Sequence, residues 1–426
     1  MSSAVIGLII LGICIVLFVT NWIPSTATAV LGCLLMVLAG VSKFSSAFSG
    51  FSNSVVVLVF CMLTVGMAMQ HSGLAYTIGS FILRFAKRER VFVVVSIVVS
   101  ALLSMFLANM AVIAMFLAIM NSVVESSDDM RMKNICLPIC MGSMFGGVCT
   151  LVGSTPQMMV QSIMEEYTGF TYKMFDYMPV GLILTGIFIL YYLFVGYPLS
   201  RKLFEQSGED ETDKAKLEAL AKKAYLKKGN KKDKIIVLCV LIIMNVLFVT
   251  EIVTNTVTSL IAMFLLIFFR QLDEKAVFRD MDWGVLIRLA GCLGLAAALA
   301  DCKSGELIAE TFISIAGSIM TPRLLLAMVV VLTMVISNFI SNSTAIFIVL
   351  PSILSIATQL GYSPLALGIA SCYAANLCFA TPLANAQTGV TMIAGYKFGD
   401  YIKYNGLLEV IIAISVVMIV PLFFPL

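Results

Sequence analysis

The sequence predicts an all-α polytopic membrane protein, and three observations carry that prediction. Hydrophobic residues make up 60% of the 426 and charged residues 12%, with a mean hydropathy of +1.03, far from soluble averages. Apolar runs of about 20 residues, long enough to cross a bilayer as helix, recur along the chain. The runs are unbroken rather than alternating, which excludes a transmembrane β-barrel.

About 11 spans and two re-entrant hairpins are expected. The run 6–18 lacks a basic n-region and a small-x-small cleavage site, so it reads as part of span 1 (5–19) rather than a signal peptide. Spans 2 (27–41) and 3 (55–69) flank a polar re-entry at 43–54, and span 4 ends near 85. From 91 to 124 there is no charge, and Ala108-Asn109-Met110 falls at the midpoint, which predicts a helical hairpin. Span 5 starts at 134 and breaks at 153–156, and span 6 covers 178–197. Residues 200–234 form a hydrophilic linker with 11 Lys or Arg, whose middle (213–225) reads as a solvated helix. Spans 7 (235–249), 8 (256–269) and 9 (283–300) follow, then an interfacial connector at 301–320. The second hairpin is 322–360, span 10 breaks at 380–382, and span 11 is 407–424.

These elements group into 1–90 and 235–321 as scaffold, 91–198 and 322–426 as transport elements, and 199–234 as linker. With an internal N-terminus, three of the 27 Lys and Arg fall outside, one sits within span 9, and the other 23 are cytoplasmic. The positive-inside rule therefore predicts a multi-pass plasma-membrane protein with a cytoplasmic N-terminus and an external C-terminus. The first hairpin then opens to the cytoplasm and the second to the outside.

Chemistry concentrates in uncharged polar breaks. No Asp, Glu, Lys or Arg occurs from 324 to 396, yet Ser337-Asn338-Phe339-Ile340-Ser341-Asn342-Ser343-Thr344 lies inside that stretch. A weaker copy, Ser104-Met105-Phe106-Leu107-Ala108-Asn109-Met110, aligns with it without gaps. Each copy precedes a second break: Gly153-Ser154-Thr155-Pro156-Gln157 and Ala380-Thr381-Pro382. Backbone polar groups at membrane depth are tolerated only where protein or a cavity satisfies them. Converging breaks supply helix N-termini for an anion and carbonyls for a small cation. Related motifs in inverted halves are the mark of an alternating-access carrier.

The remaining inventory points away from an enzyme and from a nucleic-acid partner. The 11 Cys stand singly; Cys136 and Cys140 lie one helical turn apart, with no His or acid beside them to make a metal site. The single His, His71, lies near a membrane surface, and the hairpins and broken spans carry no titratable group, which counts against proton coupling.

These motifs resemble the divalent-anion/sodium symporter (DASS) family, which carries dicarboxylates, citrate or sulfate. The likeness includes Gly50-Phe51-Ser52-Asn53 at the start of span 3, both hairpin motifs, Phe145-Gly146-Gly147, and Tyr396-Lys397-Phe398-Gly399-Asp400. The resemblance implies a homodimeric elevator coupled to two or more Na⁺. It implies a first sodium site at Ser104, Ala108, Asn109 and Gly153, and a second at Ser337, Ile340, Asn342 and Ala380. Substrate would meet Asn109, Asn342, Ser343, Thr381 and Pro382, with Ser154 and Thr155 from the first break. The first tip departs from the family's Ser-Asn-Thr at Ala108 and Met110, which removes two hydroxyls and crowds one carboxylate position. The expected function is Na⁺-coupled symport of a di- or tricarboxylate such as succinate, malate or citrate. Alternatives are a sodium-independent exchanger or proton-linked carrier of another anion such as sulfate, and a non-transporting sensor.

Overall fold

The computed structural model describes residues 2–20, 22–74, 77, 88–107, 109–125, 130–204, 230–316 and 320–426. Every regular element among them is helical. Helices α1 (Ser3–Thr20), α2 (Ser25–Leu38), a one-turn α3 (Phe44–Ala47) and α4 (Ser54–His71) open the chain. The first hairpin pairs α5 (Glu89–Ser104) with α6 (Asn109–Glu125), and α7 (Met132–Gly147) and α8 (Thr155–Thr168) form a broken span. Helix α9 (Met178–Tyr191) continues through a π turn into α10 (Tyr197–Phe204).

The second half repeats the plan with α11 (Lys231–Thr250), α12 (Asn255–Phe268), α13 (Glu274–Asp280), α14 (Trp283–Asp301) and α15 (Ser304–Ala316). Its hairpin is α16 (Pro322–Ser337) with α17 (Asn342–Leu360). A broken span of α18 (Leu365–Asn376) and α19 (Ala386–Thr391), then α20 (Phe398–Phe423), complete it. Among the described residues, six helices are long and apolar enough to cross a membrane and six apolar ones are shorter. The protein is a multi-pass membrane protein.

Local chemistry sets the hairpin boundaries. Thr321 accepts from the Leu324 amide at 3.2 Å with Pro322 in the first turn, and so starts α16. Ser341 caps α17, and Gly361 ends it with φ of 71°, a conformation open to glycine. The broken spans occupy the centre: α7 is buried along its whole length and α18 at every residue after Leu365. A Cβ on Gly146 would stand 2.0 Å from the Ala101 carbonyl oxygen, so glycine lets α7 lie directly against α5. By contrast, α11 buries only Val237, Val240, Met244 and Phe248, leaving an apolar face for lipid.

Helix direction in the first 90 residues departs from the expected topology. Ser25, at the start of α2, receives a hydrogen bond from Arg288 near the start of α14, and Ser42 donates to Asp301 at its end. Those two helices run parallel, whereas the expected topology makes them antiparallel. The Ser304 hydroxyl bonds the Ala4 carbonyl, which places the N-terminus at the far end of α14 from the linker. At the linker end, Lys234 donates to Thr77 and Arg201 lies 3.9 Å from Glu89. Thr77 and Glu89, which flank most of the expected span 4, thus both lie on the linker side; residues 78–87 themselves lie outside the described residues, as does the linker segment 205–229. The two chain ends share the side opposite the linker, correcting the expectation of opposite sides. The positive charge pattern misled because the short basic run at 84–90 fits the linker side under either count. The interfacial connector at 301–320 contains α15, and the re-entry at 43–54 folds as α3 and a 3-10 turn against α14.

Candidate functional site

The two hairpin tips and the first break line one cavity of about 460 Å³. Asn109 and Met110 begin α6, Ser341, Asn342 and Ser343 begin α17, and Gly153, Ser154 and Thr155 lead into α8. Each tip turns where its first arm ends in serine, at Ser104 and Ser337.

In the first half, the Ser104 hydroxyl bonds Asn109 Oδ1. Gly147 makes room for that amide, since a Cβ there would stand 2.4 Å from Asn109 Oδ1. Gln157 donates to the Gly147 carbonyl at 2.6 Å, and a Cβ on Gly153 would meet the same oxygen at 2.2 Å. The Ser154 hydroxyl contacts Gln157 Oε1 and Asn376 Oδ1, which ties the two breaks together. Ser154 precedes α8 without a side-chain cap, so the N-terminal amides of a 14-residue helix meet the cavity wall.

In the second half, Asn342 Oδ1 lies 3.6 Å from the Cys378 sulfur, and Ile340 is buried behind the tip. The Ser337 hydroxyl is buried without a hydrogen-bond partner of good geometry and interacts with the Cys378 thiol, which also meets Asn342 Oδ1. A hydroxyl and an amide oxygen about one thiol are donors that fit a hard cation such as Na⁺. The Thr381 hydroxyl donates to the Asn338 carbonyl, as Thr150 does to the Met105 carbonyl in the first half. Thr381 and Pro382 are buried and Ala380 half-buried, and none of the three lines the cavity. Ala108 lies outside the described residues.

Several groups here carry no motif. Asn376 and Asn385 flank the second break and line the cavity, Asn385 capping α19 through a reciprocal box with Thr388. Both belong to the same charge-free polar set as the tips, a signal already visible in the sequence. Arg288 projects from α14 into the cavity wall with Ser25 Oγ at 3.2 Å, and no carboxylate lies within 4 Å of it among the described residues. Asp282 lines the same cavity and caps α14 through the Val285 amide. Glu409, midway along α20, reaches the second break and accepts from the amides of Phe379 and Ala380. The single charged residue in the apolar run 404–426 was the available signal. The breaks at 153–156 and 380–382 carry no acid or base of their own, but α20 brings one to the second of them.

The comparisons agree with this architecture. An uncharacterized transporter of Methanocaldococcus jannaschii is 23% identical over 414 residues, covering 96% of this chain and 91% of that protein. The sodium-dependent dicarboxylate transporter SdcS of Staphylococcus aureus is 22% identical over 417 residues, covering 89% and 78%. The YdaH transporter of Alcanivorax borkumensis shares the fold at a TM-score of 0.61 and 14% identity, over 89% of this chain and 87% of that one. The profile of the citrate transporter family, CitMHS, matches residues 15–321 and 246–425. The protein is a membrane transporter, not an enzyme, and it belongs to the citrate transporter (CitMHS) family.

Proposed function

We propose that the protein is a Na⁺-coupled carrier of a small dicarboxylate, with succinate the first candidate. One observation carries the reading: both hairpin tips and the uncapped start of α8 meet in a single cavity. Helix-terminal amides, with Asn109, Asn342 and Ser343, suit carboxylate oxygens. Arg288, which lines the same cavity, adds a positive charge. The sodium dependence of SdcS, together with the buried Ser337 hydroxyl, supports Na⁺ as the accompanying ion. Transport proceeds by alternating access, the hairpins and broken spans moving as an elevator against α1–α4 and α11–α14 in a homodimer. The linker side, which collects most of the Lys and Arg, is cytoplasmic, and the membrane is the plasma membrane.

The test is uptake of labelled succinate into proteoliposomes with and without an inward Na⁺ gradient. Sodium-dependent uptake, competed by malate, is expected. Equal uptake in sodium-free buffer would overturn the coupling, and binding without uptake would overturn carriage.

A further inference from the structure

We propose that Glu409 is a positioning residue that makes the second break the cation side of the cavity by sequestering its backbone amides. The inference rests on the sodium-coupled reading above. Glu409 is 7% exposed. Its Oε2 accepts from the Phe379 amide at 2.9 Å and the Ala380 amide at 2.6 Å. Its Oε1 accepts from Asn338 Nδ2 at the hairpin turn, and that same Nδ2 donates to the Met334 carbonyl at 3.0 Å. One turn earlier on α20, Asn405 donates to the Phe379 carbonyl at 2.8 Å.

Three N–H donors converging on two oxygens is what an ionised carboxylate accepts. Two consequences follow for the neighbouring site. The Phe379 and Ala380 amides are engaged and cannot meet an anionic substrate. Ionised, Glu409 sets a negative charge against Asn338, whose buried Oδ1 lacks a partner. No cationic side chain lies within 4 Å of Glu409 among the described residues. A buried carboxylate without a counter-charge is costly at membrane depth, and a bound Na⁺ offsets that cost.

The internal repeat sharpens the assignment. Tyr172-Lys173-Met174-Phe175-Asp176-Tyr177 aligns with Tyr396-Lys397-Phe398-Gly399-Asp400-Tyr401. In both, the Lys amide donates to the Asp carboxylate, at 2.8 and 2.9 Å. Continued without a gap, this register places Glu409 on Thr185. Thr185 is neutral, and its hydroxyl is shared between the Gly181 carbonyl of its own helix at 2.7 Å and the Phe145 carbonyl at 3.2 Å. The charge is therefore particular to the second half.

The experiment compares wild type, Glu409→Gln and Glu409→Asp in two measurements. One is the Na⁺ concentration dependence of succinate uptake, and the other is Na⁺-induced thermal stabilisation in detergent with K⁺ as control. Loss of the charge should raise the half-saturating Na⁺ concentration roughly tenfold, abolish the stabilisation, and leave the succinate KM at saturating Na⁺ within about twofold. Glu409→Asp should recover part of the Na⁺ affinity. A merely structural role would lower maximal uptake and leave the Na⁺ dependence where it was, and that result would overturn the inference. If Glu409→Gln does not fold, Asn338→Ala, which withdraws the amide from Oε1, must also raise the Na⁺ requirement; an unchanged value overturns it. No Na⁺ response in the wild type would instead overturn the sodium-coupled reading and this inference together.

Discussion

In the first half, Thr185 lends a hydroxyl to a backbone carbonyl; in the second, Glu409 takes two backbone amides. The same polarity appears at the helix starts. Ser154 leaves α8 uncapped at the cavity, whereas Asn385 and Thr388 close the start of α19. The serines differ as well, Ser104 being bonded to Asn109 while Ser337 has no hydrogen-bond partner of good geometry. What the halves share is the frame: a threonine bonded to the carbonyl of the residue that starts each hairpin turn. Two copies of one plan thus differ in polarity: the first leaves a helix start uncapped, and the second engages its backbone amides with a carboxylate.

The comparison can be broken most severely at the tips. Asn342→Ala should leave a folded protein whose uptake falls about a hundredfold, since a half-buried amide lining the cavity is lost. Wild-type-like uptake would remove Asn342 from the site. Next in size is Gly147→Val, whose side chain takes the space of the Asn109 amide. It should cost about 1–3 kcal/mol by overpacking and reduce uptake by tens of fold. The loss should appear in succinate affinity at saturating Na⁺, because the first half is the anion side.

Arg288→Gln tests the positive charge that lines the cavity. The succinate KM should rise about tenfold, ~1.4 kcal/mol, with the Na⁺ requirement unchanged. An unchanged KM would return Arg288 to an ordinary interfacial cation. The smallest effect is expected from Thr185→Val, about 1 kcal/mol of stability measured by denaturation, with no change in Na⁺ dependence. A sodium shift as large as that of Glu409→Gln would erase the distinction between the halves.

The fold class and the polar breaks were legible because apolar length and the absence of charge are local properties of the chain. Asn109 and Asn342 stood out because an amide surrounded by apolar residues has few other uses. Direction was harder. The residues around 74–90 are apolar enough to suggest a span, and only the partners of Ser25, Ser42 and Ala4 reveal how α1 and α2 run. Tags on the N- and C-termini should accordingly report the same side of the membrane in a protease-protection assay; opposite sides would contradict the parallel packing of α2 and α14. Glu409 was visible as a residue but not as a neighbour, because α20 meets the second break only through tertiary packing. Arg288 likewise gains its meaning from the cavity it faces.

The most direct measurement is a structure determined with succinate and Na⁺ bound. Succinate density between Asn109, Asn342 and the start of α8, with Na⁺ beside Ser337, is the predicted result. Succinate seated on the amides of the second break, or outside the cavity altogether, would contradict the account.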